Sequence, residues 1–405
     1  MAEVLEPRDE QDLLDMVAAA VAESRPLEIE GTGSKRAFGR PVAAVARLSL
    51  RRLSGILLYE PAELVMTVRA GTPRAEVERV LAERRQQLAF EPADYGRILG
   101  GSGGGETMGG LFAVDAAGPR RVRMGSARDH LLGMRAVTGF ATVIRAGGRV
   151  MKNVTGYDIT KLYCHAFGTL VVATELTFKV LPAPETAATL VVRGRDEAGL
   201  LRLAARALGT PCEVSGAAVL PALAAGRSEV AAVRAPGVPV ALLRLEGAPP
   251  SVDARLGRLQ RLLAAPDLAF ETVAAEPSRR LWQEIRDVAL LPAGRPLWRF
   301  TLAPSRAAEL APWFAEVAEE RLYDQAGGLV WLAPRQCWAG DGARLRRALE
   351  GRGGHAVLVR APEEVRAAEQ VFPPLPDPLF RLTRRVKEAF DPERILNRGR
   401  MYAEL

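Results

Sequence analysis

Residues 100–110 of the chain read GGSGGGETMGG, and this stretch decides how the rest of the sequence is interpreted. A run this rich in glycine bares consecutive backbone N–H groups, and it is too short to be a linker. A related stretch lies about 70 residues earlier, where residues 31–35 read GTGSK directly after a short predicted strand over residues 27–30. Neighbouring backbone N–H groups of this kind suit phosphate oxygens. Two such loops indicate one large phosphate-bearing ligand that lies across both.

The first loop alone is ambiguous, because an ordinary glycine turn has the same composition. No GxxxxGK sequence occurs, which excludes the common phosphate loop of nucleotide triphosphatases. The one dinucleotide-like GxGxx(G/A) pattern, at Gly351, Gly353 and Ala356, follows a predicted helix and precedes a strand, the reverse of the required order. FAD is long enough to contact several loops, whereas a mononucleotide normally needs only one.

Length and composition bound the remaining possibilities. A chain of 405 residues, 48% of them hydrophobic, is long enough for two domain cores. The net charge is +7, but the basic residues are scattered and no basic stripe interleaved with aromatic residues occurs, so nucleic acid is not an expected partner. The sequence shows neither a run of about 18 apolar residues nor a signal peptide, which predicts an intracellular protein without a transmembrane segment. Cys164, Cys212 and Cys337 form no CxxC pair, so no metal site is expected.

Local patterns alternate between helix and strand in the first half. Apolar spacing predicts a helix over residues 10–24, and strands are expected over residues 64–69, 131–137, 141–146 and 169–181. A helix is expected from Pro73 to about Leu88, with proline at its start. Prolines at 182 and 184 mark a domain boundary, and a second cluster over residues 372–378 precedes a closing helix. We therefore expect domains at 1–183 and 184–375, with the tail 376–405 returning to the first.

Residues 107–139 (TMGGLFAVDAAGPRRVRMGSARDHLLGMRAVTG), GGRVMKNVTGYDITKL and GTLVVATELTFKVLP together resemble the FAD domain of bacterial glycolate oxidase subunits, D-lactate dehydrogenases and vanillyl-alcohol oxidase. Within that family the chain is most similar to FAD-binding second subunits of bacterial glycolate oxidase complexes, through AGPRR, LWRFTLAPS and a terminal GRMYAEL. The resemblance implies an α+β fold, with a PCMH-type FAD-binding domain of two subdomains followed by a smaller α+β FAD-linked-oxidase domain.

The same resemblance implies roles for individual residues. The first loop would hold the FAD pyrophosphate, the second would line the flavin, a following pair would fix the ribityl and phosphate region, and one strand residue would meet the adenine. Some relatives carry a flavin-linked histidine beside the first loop where this chain has Ser34, so non-covalent FAD is expected. The pyrophosphate residues are Gly31, Thr32, Gly33 and Ser34, and the flavin-lining residues are Thr107, Gly109 and Gly110. The ribityl and phosphate pair is Ser126 and Asp129, and the adenine contact is Val172.

Two lysines flank the sequence KNVTGYD, which contains an accidental glycosylation sequon at residues 153–155. Nearly all basic residues of the chain are arginines, so Lys152 and Lys161 are candidates for specific contacts. Solvated side chains are an equally acceptable interpretation, and the sequence does not decide between the two.

The chemistry of the second domain is left open by the sequence. Oxidation of a 2-hydroxy acid needs a hydride acceptor, a base and cations for the carboxylate. Arg286 and Arg299 are candidate carboxylate clamps, although surface salt bridges are the favoured interpretation of both. The resemblance implies paired histidines and a glutamate at a metal site in catalytic relatives, and this chain has only His130, His165 and His355.

We therefore favour a subunit that relays the electrons released when glycolate is oxidised to glyoxylate or D-lactate to pyruvate. Its partners would be a larger catalytic FAD subunit and an iron–sulfur subunit, in a cytoplasmic complex held peripherally at the inner membrane, if at all, by those partners. The alternatives are a self-sufficient FAD-dependent 2-hydroxy-acid dehydrogenase and a non-redox structural subunit with vestigial flavin loops.

Overall fold

The computed structural model describes residues 3–150, 156–234, 237–336 and 340–405. The chain divides into two units. The first comprises Met1–Ala117, Gly125–Ala183 and Pro374–Leu405, and the second comprises Gly118–Met124 and Pro184–Pro373. The first unit thus includes the C-terminal tail, and it leaves out a short segment, Gly118–Met124, that lies inside the span 1–183 expected for the first domain.

The strands of the first unit are β1 (Glu3–Leu5), β2 (Leu27–Glu30), β3 (Ala46–Ser49), β4 (Ile56–Glu60), β5 (Val65–Arg69), β6 (Gln86–Gln87), β7 (Leu131–Thr138), β8 (Val143–Gly147), β9 (Val171–Lys179) and β10 (Leu181–Pro182). Its helices are α1 (Glu10–Ala22), α2 (Arg74–Glu83), α3 (Tyr95–Ile98), α4 (Met108–Ala113), α6 (Ala127–His130), α7 (Thr160–Tyr163) and α15 (Asp377–Phe390), and a 3₁₀ turn spans Leu50–Arg52.

A parallel sheet in the order β1-β3-β2 positions the first glycine loop. Helix α1 connects β1 to β2, the two outer strands of this sheet, and β3 then pairs between them. Asp9 caps this helix by accepting a hydrogen bond from the Asp12 N–H at 2.9 Å. Leu13 and Val17 are fully buried, so the apolar face of α1 packs into the core. Strand β2 ends at Glu30, and the first glycine loop begins at the next residue.

An antiparallel sheet in the order β4-β5-β9-β7-β8 forms the second layer of this unit. Its central strand β9 is rich in β-branched residues, which suit a buried pleated surface. Val172 on β9 pairs with Val137 on β7 and is fully buried. The strands predicted over residues 64–69, 131–137, 141–146 and 169–181 are all present, with small differences at their ends.

The predicted helix over 73–88 was too long, because α2 ends at Glu83. Arg85 adopts φ +53°, a left-handed conformation that ends the helix. Gln86 and Gln87 then pair antiparallel with Pro182 and Leu181 in a short two-stranded ladder. Leu88, the apolar residue at the end of the predicted helix, follows this ladder and is buried.

The second unit contains β11 (Thr186–Arg193), β12 (Gly216–Leu220), β13 (Val240–Gly247), β14 (Ala269–Ala274), β15 (Leu297–Thr301), β16 (Arg321–Asp324), β17 (Leu329–Leu332) and β18 (His355–Arg360). Its helices are α5 (Arg121–Met124), α8 (Glu197–Leu208), α9 (Ala222–Ala225), α10 (Pro249–Leu263), α11 (Ala275–Arg286), α12 (Pro304–Val317), α13 (Asp341–Arg347) and α14 (Glu363–Ala368), and a 3₁₀ turn spans Gln325–Gly327.

These strands form one antiparallel sheet in the order β14-β11-β13-β12-β16-β17-β15-β18. Phe300 on β15, Phe314 on α12 and Tyr323 on β16 meet in edge-to-face contacts, and all three side chains are fully buried. Such contacts stabilise a core beyond simple area burial. With helices and antiparallel strands in both units, the chain has the α+β class that the sequence predicts.

Candidate functional site

The first loop turns tightly as it leaves β2. Gly33 adopts φ +81°, a conformation that glycine accepts without strain. A Cβ atom placed on Gly31 would lie 2.3 Å from Thr107 Oγ1, so glycine is required there by close approach of another segment. Ser49 Oγ, at the end of β3, stabilises the loop by donating a hydrogen bond to the Gly31 carbonyl at 2.9 Å.

The second loop is held by a buried aspartate. Asp94 accepts hydrogen bonds from the Arg97 N–H at 3.2 Å and the Gly104 N–H at 2.9 Å. Gly103 has φ +77°, and a Cβ atom there would lie 2.5 Å from Asp94 Oδ2. Thr107 then caps α4 by accepting from the Gly110 N–H at 3.3 Å. The glycine run is therefore a shaped backbone surface.

The two loops converge. Thr32 Oγ1 donates to the Gly105 carbonyl, and Lys35 forms an ion pair with Glu106. The first loop and three residues at the end of the second, Thr107, Gly109 and Gly110, line one cleft in the first unit, whereas residues 100–106 do not line it. The cleft has about 710 Å³ of space outside the protein atoms, part of it open to solvent.

Eight of the ten residues predicted to bind cofactor line this cleft, and two do not. The lining residues are Gly31, Thr32, Gly33, Ser34, Thr107, Gly109, Gly110 and Val172. Ser126 and Asp129 instead pair with each other at the start of α6, where Asp129 Oδ2 accepts from the Ser126 N–H at 2.8 Å. In this structure, that pair serves as a helix cap.

Lys35 is a buried cation in the cleft wall that sequence reasoning did not select. Its ammonium donates to Glu106, whose second oxygen accepts from Arg74 Nη1 at 3.0 Å. Glu106 is 1% exposed and Lys35 is 8% exposed. Burial lowers the pKa of Lys35, and the neighbouring Glu106 carboxylate opposes that shift.

The C-terminal tail supplies two further cleft residues. Asn397 Oδ1 accepts from the Ile29 N–H at 2.8 Å, and its Nδ2 donates to the Phe167 carbonyl at 2.7 Å. Arg400 Nη2 donates to the Lys35 carbonyl at 2.8 Å. Both side chains line the cleft. The tail thus fastens the first loop, which no local sequence signal indicated.

Tyr163 closes the cleft near the second loop. Its hydroxyl donates to the Gly109 carbonyl at 2.8 Å, and burial raises its pKa. Among the cleft-lining residues that the structure describes there is no histidine or cysteine.

Of the two flanking lysines, Lys161 has a structural contact. Its ammonium donates to the Arg128 and Leu131 carbonyls at 2.6 and 2.8 Å, at the C-terminal end of α6. Cations are stabilising at this end of a helix. Lys152, the sequon at 153–155 and Cys337 lie outside the described residues.

The two candidate clamps of the second unit have different surroundings. Arg286 forms a bidentate pair with Asp287, at 2.8 Å from Nε and 2.7 Å from Nη2. Arg299 lies half-buried on β15, near His355 on the adjacent strand. Burial lowers the pKa of His355, and the charges of Arg299 and Arg121 lower it further. The local field around His355 is therefore positive.

Two features are absent from the part of the chain that the structure describes. Its residues include no group of three or more histidine, cysteine, aspartate or glutamate side chains arranged to hold a metal ion. In the same part of the chain, no helix is both long and apolar enough to cross a membrane.

Comparison with known proteins defines the class of this cleft. Residues 1–147 match the family described as FAD binding domain. The solved structure of 4-ethylphenol oxidase from Gulosibacter chungangensis superposes with a TM-score of 0.74 over 99% of this chain and 89% of that one, at 15% identity, which supports the fold alone. The matching family and the fold together define a protein with a PCMH-type FAD-binding domain.

The sequence relatives narrow this class. The chain is 35% identical to glycolate oxidase subunit GlcE of Escherichia coli (strain K12) over 406 residues, 98% of either chain, and it belongs to that family. It is also 27% identical to glycolate oxidase subunit GlcD of Bacillus subtilis (strain 168) over 189 residues, 46% of this chain and 38% of that one. FAD is the cofactor of this family, and the first unit carries the domain that binds it.

Proposed function

We propose that this chain is the FAD-binding subunit of a glycolate oxidase complex, in which it relays electrons from oxidation of glycolate or D-lactate. The observation that carries the proposal is a cleft shaped by both glycine loops, in a chain 35% identical to GlcE along almost its full length. Bound FAD would accept the electrons and pass them on. The protein would bind the cofactor and hold it in a cleft lined mainly by backbone and neutral groups.

The relay role follows from the side chains of the second unit. It contains a single histidine, His355, on the edge strand β18. The second unit therefore does not contain the paired histidines that the resemblance implies for catalytic relatives. We infer that a larger catalytic FAD subunit oxidises the substrate and that an iron–sulfur subunit receives the electrons. We also propose that the complex is cytoplasmic and that any attachment to the inner membrane is made by its partners.

Anaerobic reduction tests this role. We expect the isolated chain to be yellow, and its flavin absorbance to stay unbleached when glycolate or D-lactate is added. In the purified complex, glycolate should bleach the flavin of this subunit. Bleaching of the isolated chain would support a self-sufficient dehydrogenase instead, and a colourless, flavin-free chain would support a purely structural subunit.

Arginine variants give a second, independent test. If the chain only relays electrons, Arg299→Ala and Arg286→Ala should each leave the KM of the complex for glycolate within about twofold of the native value, because neither binds substrate. The bidentate Arg286–Asp287 pair makes Arg286→Ala the matched control. A KM raised roughly tenfold or more by Arg299→Ala alone would assign a substrate carboxylate to this subunit and contradict the relay role.

A further inference from the structure

The Lys35 ammonium has more hydrogen-bond donors than its neighbours in the protein satisfy. A nearly buried ammonium group costs free energy unless its hydrogen bonds are satisfied. Lysine offers three donors. Within the described part of the chain, the Lys35 ammonium has a single hydrogen-bond partner, Glu106. The side chain lines the cleft, and the position of a Cβ atom on Gly110 lies 3.8 Å from Lys35 Nζ.

The partner carboxylate is shared. Glu106 accepts from Lys35, from Arg74 and from the Tyr95 N–H at 3.3 Å, so one buried carboxylate serves two cations. Arg74 also contacts Glu78, which is 43% exposed and therefore well screened by solvent. Glu106 and Arg74 therefore position the Lys35 ammonium but do not satisfy all of its N–H donors.

The other cations of the cleft are matched more fully. Arg36 pairs with Glu30 and, at 3.4 Å, with Glu28. Arg400 lies 3.3 Å from the same Glu28, and its Nη2 donates to the Lys35 and Arg36 backbone carbonyls of the first loop. Lys35 is the buried ammonium of the cleft, and its single carboxylate partner leaves it hydrogen-bonding capacity for a ligand.

We propose that Lys35 binds the diphosphate of FAD, and that Glu106 and Arg74 are positioning residues for it. The diphosphate is the anionic part of FAD, and Lys35 directly follows the backbone nest of the first loop. An ammonium donor adds charge to that nest, and hydrogen bonds between ionised groups are about twice as strong as neutral ones. This assignment concerns cofactor affinity and holds whichever electron partners the subunit has.

The test compares three probes on the full-length chain after removal of its flavin. Lys35→Met is expected to weaken binding of FAD and of ADP by about 10- to 100-fold, the range for loss of a charged hydrogen bond. Riboflavin, which has no phosphate, should bind within about twofold of the native affinity. Lys387→Met is the matched control, because Lys387 also pairs with a buried carboxylate, Asp391, in the same unit and does not line the cleft.

Two outcomes would overturn the proposal: unchanged affinity for FAD and ADP, or an equal loss for all three probes, which would indicate a general structural role. Should Lys35→Met fail to fold, the pH dependence of ADP binding replaces it. Glu106, Arg74 and Asp94 are the charged groups that act on Lys35, and burial lowers its pKa. ADP affinity should then fall as pH rises toward the ordinary lysine range, about 10.4. In Lys35→Arg this decline should vanish, and its persistence would contradict the assignment.

Discussion

Replacing Gly31 with alanine is expected to weaken FAD binding by about 10- to 100-fold, because overpacking a tight contact costs roughly 1–3 kcal/mol. The added Cβ would lie 2.3 Å from Thr107 Oγ1 and 2.7 Å from its Cγ2. Thr107 cannot easily move, since its hydroxyl caps α4 and its χ1 angle is restricted by β-branching. The two loops must therefore separate. Fluorescence quenching of FAD by the flavin-free chain measures the effect.

Gly105→Ala is the matched control for this variant. Gly105 belongs to the second loop, and a Cβ there meets nothing closer than Thr32 Oγ1 at 3.8 Å, an ordinary contact. Its FAD affinity should stay within about twofold of the native value. Adding Thr107→Ala to Gly31→Ala should restore part of the lost affinity, since a steric contact makes the two effects non-additive. Equal losses in Gly31→Ala and Gly105→Ala would show that loop convergence does not shape the cofactor site.

The parts of this cleft that were predictable from sequence are those with a local signal. Glycine clusters mark Gly31 and Gly109 because the composition itself is unusual, and the β-branched run around Val172 marks a strand by periodicity. Such patterns depend on neighbours within a few residues. They gave most strand positions and the two loops, whereas the α+β class was implied by the resemblance to known FAD domains. Helix ends such as that of α2 depended on a single left-handed residue, Arg85.

The remaining cleft residues were not predictable because their partners lie far away along the chain. Asn397 is 368 residues from Ile29, to which it is hydrogen-bonded, and neither residue type signals the other. Glu106 stands as a lone carboxylate within a glycine run, and only the fold shows that it joins Lys35 to Arg74. Gly118–Met124 carries no boundary signal either, although it packs with the second unit.

One contact that holds Gly118–Met124 in the second unit is an ion pair with the largely buried carboxylate of Glu246, whose side chain is 10% exposed. Glu246 forms a bidentate pair with Arg120, with Nη2–Oε1 at 2.6 Å and Nε–Oε2 at 3.0 Å. Arg244, which is 2% exposed and lies over the Trp282 ring, approaches the same carboxylate at 3.5 Å. Burial alone would raise the pKa of Glu246, but the charge of Arg244 and the hydrogen bond from Arg120 outweigh it and lower the pKa to about 2.

We expect Glu246→Gln to destabilise the second unit by about 3 kcal/mol at neutral pH. A carboxyl pKa lowered from 4.5 to about 2 corresponds to roughly that free energy of folding. Loss of one partner of a buried ion pair costs about 3–5 kcal/mol, in agreement. Because the folded-state pKa is depressed, the contribution is complete above pH 4.5 and is lost as pH falls toward 2. The difference between native and variant should shrink over that interval.

Tryptophan fluorescence during urea unfolding measures this unit selectively, since all five tryptophans lie between residues 184 and 373. Glu213→Gln is the matched control. Glu213 pairs at 3.2 Å with Arg123, from the same short segment, but the two side chains are 58% and 42% exposed. Exposed pairs contribute about 0–1 kcal/mol. If both variants shifted the tryptophan transition equally, or if the effect of Glu246→Gln did not change below pH 4.5, the Glu246 carboxylate would not be what holds Gly118–Met124 in place.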